Sequence, residues 1–453
     1  MKHFEASGLW YPSDDPDNAV GGTLKFDEKG LQLALLGTLR QGWSPWAERY
    51  PIIHGVLGDS PYGAFVTLID SFRTAHKFNM VGATSEKIRC HSAMVGDFHL
   101  PDGPVSFEKL NLDYSYLTEW VGRGGMEVDR KRTDGKLTFV ATYTQPENIQ
   151  FPFGNKTLTL GFQSESSSST HRTTLTEEAR LVVQPVGDLT SATLVQEHVR
   201  TLQDLITFAT DRPNEVEEIA YRAEKDERGL TPKLNLIYDP IFQLKERKDH
   251  LHPTDMLFTF EDCKAANINI FQEWLDFSKK HPAFREVYFG STYAGPRYLD
   301  DRFKKVVEAF TLLCSTLKDT SEKTVLFLAD VAAAMRAHFS EDEREFMNHL
   351  VPTRGEVEMS NHLRRMLVED SDLMSQVIED IPAFVRAVSD TLGFIERRER
   401  GARPPLEGDD LHYAVEKIKM LIKIVVLKEL GFGQEAVRGF VERNEKLRHL
   451  KMV

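Results

Sequence analysis

The sequence predicts an α+β multidomain protein, with a β-rich, sandwich- or barrel-like N-terminal domain followed by an all-α helical bundle. Three observations predict it. Short apolar runs separated by glycine turns fill the first third of the chain. From about Asn267 onward the apolar period changes from 2 to 3.6. A long aliphatic helix, 409–430, then stands near the C-terminus with no strand signal around it.

Taken in order, Gly21–Phe26 and Leu31–Leu39 form two strands joined by the turn Asp27-Glu28-Lys29-Gly30. Ile52–Leu57 and Ala64–Ile69 repeat the pattern across Gly58-Asp59-Ser60-Pro61. Ile88–Phe98 and Leu137–Tyr143 are further strands, the second after the hairpin signal Thr133-Asp134-Gly135. Tyr116–Trp120 is a short helix or turn that plugs the sheet. Ser164–Thr170 is nearly all serine and reads as a flexible loop or linker. Ala179–Pro185 is a strand, Leu194–Ala209 a helix, and Leu234–Tyr238 and Met256–Thr259 short strands. This places a β-rich domain at 1–265 and a helical domain at 266–453.

The helical candidates are Ile268–Lys280, Asp300–Leu317, Lys323–His338, Glu341–His349, Glu358–Leu367, Leu373–Phe394, 409–430 and Gln434–Leu450. The helix 409–430 opens with Asp409 and Asp410, which suit a first turn, and stops at Gly431 and Gly433. Its apolar residues, from Leu411 through Val415, Ile418, Ile422 and Val425, recur as a stripe buried along one face. The arginine-rich segment Glu396–Pro405 precedes it.

The 453 residues carry a net charge of −13, which argues against a protein that coats nucleic acid over its whole surface but permits a local basic site. Three scattered cysteines, Cys90, Cys263 and Cys314, without a C-x-x-C, argue against a thiolate metal site and a disulfide framework and fit a reducing cytoplasm. No leader is expected at the N-terminus, and apolar runs such as Ile422–Leu427 are too short to span a bilayer. No metal, cofactor or membrane partner is expected.

Several short matches occur in a fixed order: Leu35-Leu36-Gly37, Ile53-His54-Gly55, Val66-Thr67-Leu68, Ser106–Leu110 and Leu117-Thr118-Glu119-Trp120. The helix with Phe303 and Phe310, Leu363-Arg364-Arg365-Met366-Leu367, Asp409–Ala414 and Leu427–Phe432 follow. In this the chain resembles the ApeA-type anti-phage defence proteins, which carry a β-rich ApeA domain and a C-terminal HEPN bundle. The resemblance implies an abortive-infection function, RNA as substrate or ligand, a homodimer formed through the bundle and a phage-derived trigger. It also implies an Arg-x(4–6)-His motif, often Arg-Asn-x-x-x-His. RNA supplies its own 2′-OH nucleophile, so a histidine that moves a proton and an arginine that grips the phosphate suffice without metal.

Where that motif is expected, this chain reads Leu392-Gly393, followed by Glu396 and Arg397 in place of the histidine. None of these can perform the pair's chemistry near neutral pH. Arg443-Asn444-Glu445-Lys446-Leu447-Arg448-His449 satisfies the spacing elsewhere, so Arg443 and His449 are the candidate catalytic pair. Its competing reading is a solvated terminal helix whose basic residues complement the helix dipole. Arg344 and His349 also satisfy the spacing, in an acidic segment. The loop arginines Arg397, Arg398, Arg400 and Arg403 are candidate RNA-binding residues, with simple solvation as the alternative.

Other patterns read as structural. His250 and His252 lack a third ligand nearby and belong to a surface loop. His91 and His99 flank a strand. Gly122-Arg123-Gly124-Gly125 lacks the lysine and context of a P-loop and is a turn. Trp10, Trp43, Trp46 and Trp120 suit packing better than base stacking. No Gly-x-Ser-x-Gly elbow supports serine hydrolase chemistry. Two classes of function stay open: a metal-independent ribonuclease effector, and a catalytically silent RNA- or protein-binding sensor or partner subunit.

Overall fold

A computed structural model describes residues 3–40, 48–77, 84–100, 105–133, 136–189, 197–225, 229–238, 251–294, 298–316, 354–375, 377–397 and 405–450. The chain divides into two units, Met1–Leu251 with Thr259–Glu261, and His252–Phe258 with Asp262–Val453.

The first unit is built on a closed antiparallel barrel of six strands: β1 (Phe4–Pro12), β2 (Val20–Asp27), β3 (Gly30–Leu35), β4 (Arg49–Leu57), β5 (Phe65–Lys77) and β6 (Ser85–Gly96). The pairing runs β6-β3-β2-β1-β4-β5 and closes from β5 back to β6. Alternation along each strand sends one face inward, and Trp10, Leu24, Phe26, Leu33, Tyr50, Ile53, Val66 and Leu68 form the interior. The turn expected at Asp27–Gly30 joins β2 to β3, with Gly30 at φ +85°. Gly55 is needed for packing, because a Cβ there would lie 2.4 Å from the Trp10 ring. A carboxylate is sealed in with the aliphatic core. Glu86 is 1% exposed and accepts from the Leu39 amide (3.2 Å) and the Tyr50 hydroxyl (2.9 Å), so it is hydrogen-bonded as burial requires.

From the second half of β6 the sheet continues outward through β15 (Lys233–Tyr238), β14 (Val216–Ala223), β7 (Val105–Tyr114), β12 (Arg172–Gln184), β11 (Lys156–Ser169) and β10 (Ile149–Phe153). β13 (Gly187–Leu189) pairs with another part of β7. Helix α1 (Leu117–Val121) buries Leu117, Trp120 and Val121, as a plug should. Helix α2 (Glu197–Thr210) is tied to the sheet through Asn214. This fully buried side chain donates to Thr210 Oγ1 (2.9 Å) and accepts from the Tyr116 amide (3.1 Å).

The serine run is a correction. Ser164–Ser169 is strand, not linker: it pairs residue by residue with β12, from Ser164↔Glu177 to Ser169↔Arg172. Thr173–Leu175 supply a β-prone partner strand, and backbone pairing needs no apolar side chain. The arm is exposed on both faces, and so it lacks the alternation that identifies a half-buried strand. β8 (Met126–Thr133) and β9 (Lys136–Tyr143) form a separate two-stranded sheet.

The second unit contains helices and no strand among its described residues. Its helices are α3 (Phe260–Ala265, which begins in the first unit), α4 (Ile270–Lys280), α5 (Pro282–Tyr293), α6 (Leu299–Thr316), α7 (Arg354–Glu369), α8 (Ser371–Met374), α9 (Ile381–Arg397), α10 (Gly408–Glu429), α11 (Gln434–Arg443) and α12 (Glu445–His449). α10 is the centre, and α6 packs along it. It is buried on one face only at first. From Met420 to Leu427 every residue is buried, including Lys423, so the helix dives through the core. Each fully buried aliphatic side chain there contributes on the order of 1.5–3 kcal/mol.

Three expectations change here, one strand and two helices. Met256–Thr259 is not a strand. A 3₁₀ turn at Pro253–Asp255 leads into irregular chain whose Phe258 packs on Phe432 (5.3 Å) and Phe440 (6.3 Å). Leu373–Phe394 divides into α8 and α9, because Pro382 favours a helix start and not a helix interior. Gln434–Leu450 breaks at Asn444, which has extended backbone and caps α12 by accepting from the Leu447 amide (3.1 Å). The helices expected at Lys323–His338 and Glu341–His349 lie outside the described residues, as do Arg344 and His349.

Candidate functional site

Among the described residues, three places bear on the choice of site. The first holds the pair chosen from sequence. Arg443 sits at the end of α11 and His449 at the end of α12, in two helices and not one. The Arg443 guanidinium donates to both Asp262 carboxylate oxygens, at 3.0 and 2.5 Å, and lies 5.4 Å from the Phe440 ring centroid. This bidentate fork is the geometry a phosphate would also use. His449 is 62% exposed and 4.0 Å from Glu445. Asn444 between them is fully buried and donates to the Met256 carbonyl (3.0 Å). Each member except His449 is thus held by a structural contact.

The segment where the family's motif is expected lies in α9. Leu392 is 6% exposed and Thr391 is fully buried, its hydroxyl donating to the Ala387 carbonyl at 2.7 Å. Glu396 is exposed. Arg397 ends α9, and Arg398, Arg400 and Arg403 lie outside the described residues.

The second place is a cavity of about 900 Å³ within the helical unit, lined by Lys280, Ser315, Thr316, Arg365, Glu369, Asp370, Lys428 and Glu429, among others. Helix ends put them there: the C-termini of α4, α6 and α10 and the last turn of α7. Lys428 pairs with Asp370, and Lys280 with Glu429 at 2.5 Å. Arg365 Nε is buried with no hydrogen-bond partner among the described residues. Behind the wall, His281 is fully buried. The Thr316 hydroxyl donates to the Leu313 carbonyl (2.8 Å), which leaves its oxygen to accept from His281 Nδ1–H. His281 Nε2 then faces Glu429 at 3.7 Å, beyond hydrogen-bond reach. Burial, with Lys280 adding to it, pushes this imidazole below its ordinary value against the pull of Glu429. It is neutral at physiological pH and positions Thr316 without reaching the cavity. Sequence reading quoted Arg365 only within a family match and missed His281 entirely. The adjacent pair Lys280-His281 before Pro282 was the available signal.

The third place is in the barrel unit. His54 of β4 and His99, after β6, stack at 4.4 Å with rings 21° apart. His99 Nδ1 meets the Val66 carbonyl at 3.0 Å. A carbonyl only accepts, so Nδ1 carries the proton and Nε2 accepts from the Tyr11 hydroxyl at 3.1 Å. Phe65 closes the cluster edge-on at 5.1 Å. Burial first, and His54 second, hold His99 below its ordinary value.

The remaining sequence candidates are structural. His252 precedes the 3₁₀ turn and its amide donates to Asp255 (3.1 Å), while His250 lies outside the described residues. No group of metal-ligating side chains occurs among the described residues. Gly122 ends α1 in the left-handed region, at φ +63°, and Trp10 and Trp120 are fully buried. Trp43 and Trp46 lie outside the described residues. Cys90, Cys263 and Cys314 are buried and form no disulfide. No described helix is long and apolar enough to cross a membrane.

A family model described as ApeA N-terminal domain 1 matches residues 5–274, more than half of the chain. No curated protein and no solved structure matches it.

Proposed function

The chain belongs to the ApeA N-terminal domain 1 family, and from that premise we propose that it is an anti-phage defence protein of the abortive-infection type. The family match carries this reading. In it, the β-rich unit senses a phage-derived trigger, and the helical unit, HEPN-like and acting as a homodimer in the cytoplasm, is the effector. Its target is RNA, cut without metal. Arg443 would hold the scissile phosphate and His449 would move the 2′-OH proton. For this, substrate must displace Asp262 from the Arg443 fork.

A specific observation favours a second reading, that of a catalytically silent RNA- or protein-binding sensor or partner subunit. Leu392 is packed into the core at the family's arginine position, and Arg443 is already bound to a carboxylate.

One experiment separates them. Cells expressing the wild type, His449→Ala, Arg443→Ala or Arg365→Ala are challenged with phage, and plaque counts and total RNA integrity are followed. Under the effector reading the wild type lowers plaque counts and fragments RNA, and His449→Ala loses both by about 100-fold or more, the range for losing a general acid–base group. Protection with intact RNA supports the silent reading. Fragmentation lost only in Arg365→Ala moves the site to the cavity. A wild type that leaves plaque counts unchanged overturns the defence assignment.

A further inference from the structure

The β8–β9 hairpin is used by neither reading above. Its register, from Met126↔Tyr143 through Val128↔Ala141 and Arg130↔Phe139 to Arg132↔Leu137, sorts its side chains strictly. One face carries Met126, Val128, Arg130, Arg132, Leu137, Phe139, Ala141 and Tyr143, because side chains alternate along a strand. The other carries Glu127, Asp129 and Lys131, with Lys131 bound to Asp129 at 2.6 Å. Both carboxylates of β8 are therefore on the far side. The first face is apolar and cationic, and it is open: Val128 is 71% exposed, Phe139 60%, Leu137 48% and Met126 41%.

The base of the hairpin is fixed while its length stands free. The Gly125 amide donates to the Glu177 carboxylate (3.0 and 3.3 Å), and the Thr144 amide donates to the Gly125 carbonyl (2.9 Å). A Cβ at Gly125 would lie 1.9 Å from the Thr144 carbonyl oxygen, so only glycine closes the base this tightly. Arg130 lies over the Phe139 ring, 5.2 Å from its centroid. Arg130 and Arg132 project from one face two residues apart, about 7 Å along the strand, comparable with the step between phosphates of an extended polynucleotide.

We propose that this face binds single-stranded nucleic acid. Arg130 swings off the Phe139 ring to grip the phosphates together with Arg132, and Phe139 and Leu137 receive the flat faces of unstacked bases. Charge favours this occupant. The protein carries a net −13, yet here it exposes two arginines with apolar neighbours, which suits a polyanion that also presents apolar rings. The nearby Glu177 carboxylate sits at the base beside Tyr143 and is bound by the Gly125 amide. The inference needs only the first unit and does not depend on whether the helical unit cuts RNA.

The test is fluorescence anisotropy of the full chain with labelled single-stranded RNA and DNA oligonucleotides of about 12 nucleotides, run across a salt series. Phe139→Ala is expected to weaken binding about tenfold. Arg130→Ala with Arg132→Ala should flatten the log–log salt slope by about 1.4, or 0.7 for each lost phosphate contact. The hairpin is exposed, so melting temperatures should stay unchanged. Tighter RNA than DNA binding identifies contact with the 2′-OH, and equal binding identifies recognition of bases and phosphates alone. Thr138→Ala, on the opposite face of the same hairpin, should bind as wild type, which ties the result to this face and not to the helical unit. The proposal is overturned if the wild type binds neither oligonucleotide or if the variants bind as wild type. It is equally overturned if the same residues govern binding to anionic lipid vesicles or the chain's own oligomeric state instead.

Discussion

His99 shows how a neighbour fixes the chemistry of a single residue. The Val66 carbonyl sets its tautomer, Tyr11 occupies its other nitrogen, and the stacked His54 ring opposes its protonation. Burial lowers its affinity for a proton relative to the unfolded chain, and the same holds for His281. The sign follows directly. Folded-state values lie below the ordinary 6.5, so the unfolded chain binds more protons under acid conditions. Stability is then complete above about pH 6.5 and declines as pH falls through that value toward the folded-state ones. Each group adds at most about 1.4 kcal/mol per pH unit, and His99 less because it is only partly buried. Urea denaturation of the wild type and His99→Asn between pH 7.5 and 5 should show a shallower decline in the variant. Parallel curves would mean that His99 titrates alike folded and unfolded. Neither histidine's environment was readable from sequence, since Tyr11, His54 and Val66 are remote from His99 along the chain.

At the scale of elements, the break between α11 and α12 is the most informative. A capping Asn444 interrupts what reads by periodicity as one helix, and its side chain is committed to Leu447 and to the Met256 carbonyl. Removing it loses a cap and leaves a buried carbonyl without its donor. Asn444→Ala should therefore destabilise by about 1–3 kcal/mol, whereas the exposed His449→Ala should stay within about 0.5 kcal/mol. Chemical denaturation of both decides it, and equal stabilities would show that Asn444 does not clamp the turn. The serine arm and the barrel hairpins contrast in the same way. β2–β3 and β4–β5 were legible because alternating apolar residues flank glycine turns. β11 beyond Gln163 was not, because with neither face buried it has no alternation to read. The β7, β14 and β1 strands also went unmarked, and polar residues within them, such as Asp113 bound to Arg180, find their partners only in the folded sheet.

At the scale of the molecule, the two units exchange short stretches of chain near their junction. Thr259–Glu261 belongs with the barrel unit, where Phe260 meets Trp120 edge-on at 5.6 Å and Phe151 at 6.0 Å. A fragment ending at Leu251 loses this aromatic, as does Phe260→Ala in the full chain. Each should lower the stability of the barrel unit by about 3 kcal/mol, the cost of truncating a buried phenylalanine, while a fragment ending at Glu261 should not. Thermal melts of the three proteins measure it, and equal melting temperatures would remove Phe260 from the barrel's core. The sequence by itself determined the class of each half, a strand-and-turn first part and a helical second part, because period and turn chemistry are local properties of the chain. It also determined the family, through short matches in a fixed order. Only the tertiary structure decided that the first strands close into a ring, that α10 is buried on every side through its second half, and that Arg443 is held by Asp262. Those outcomes depend on which distant residues meet, and no local pattern encodes such meetings.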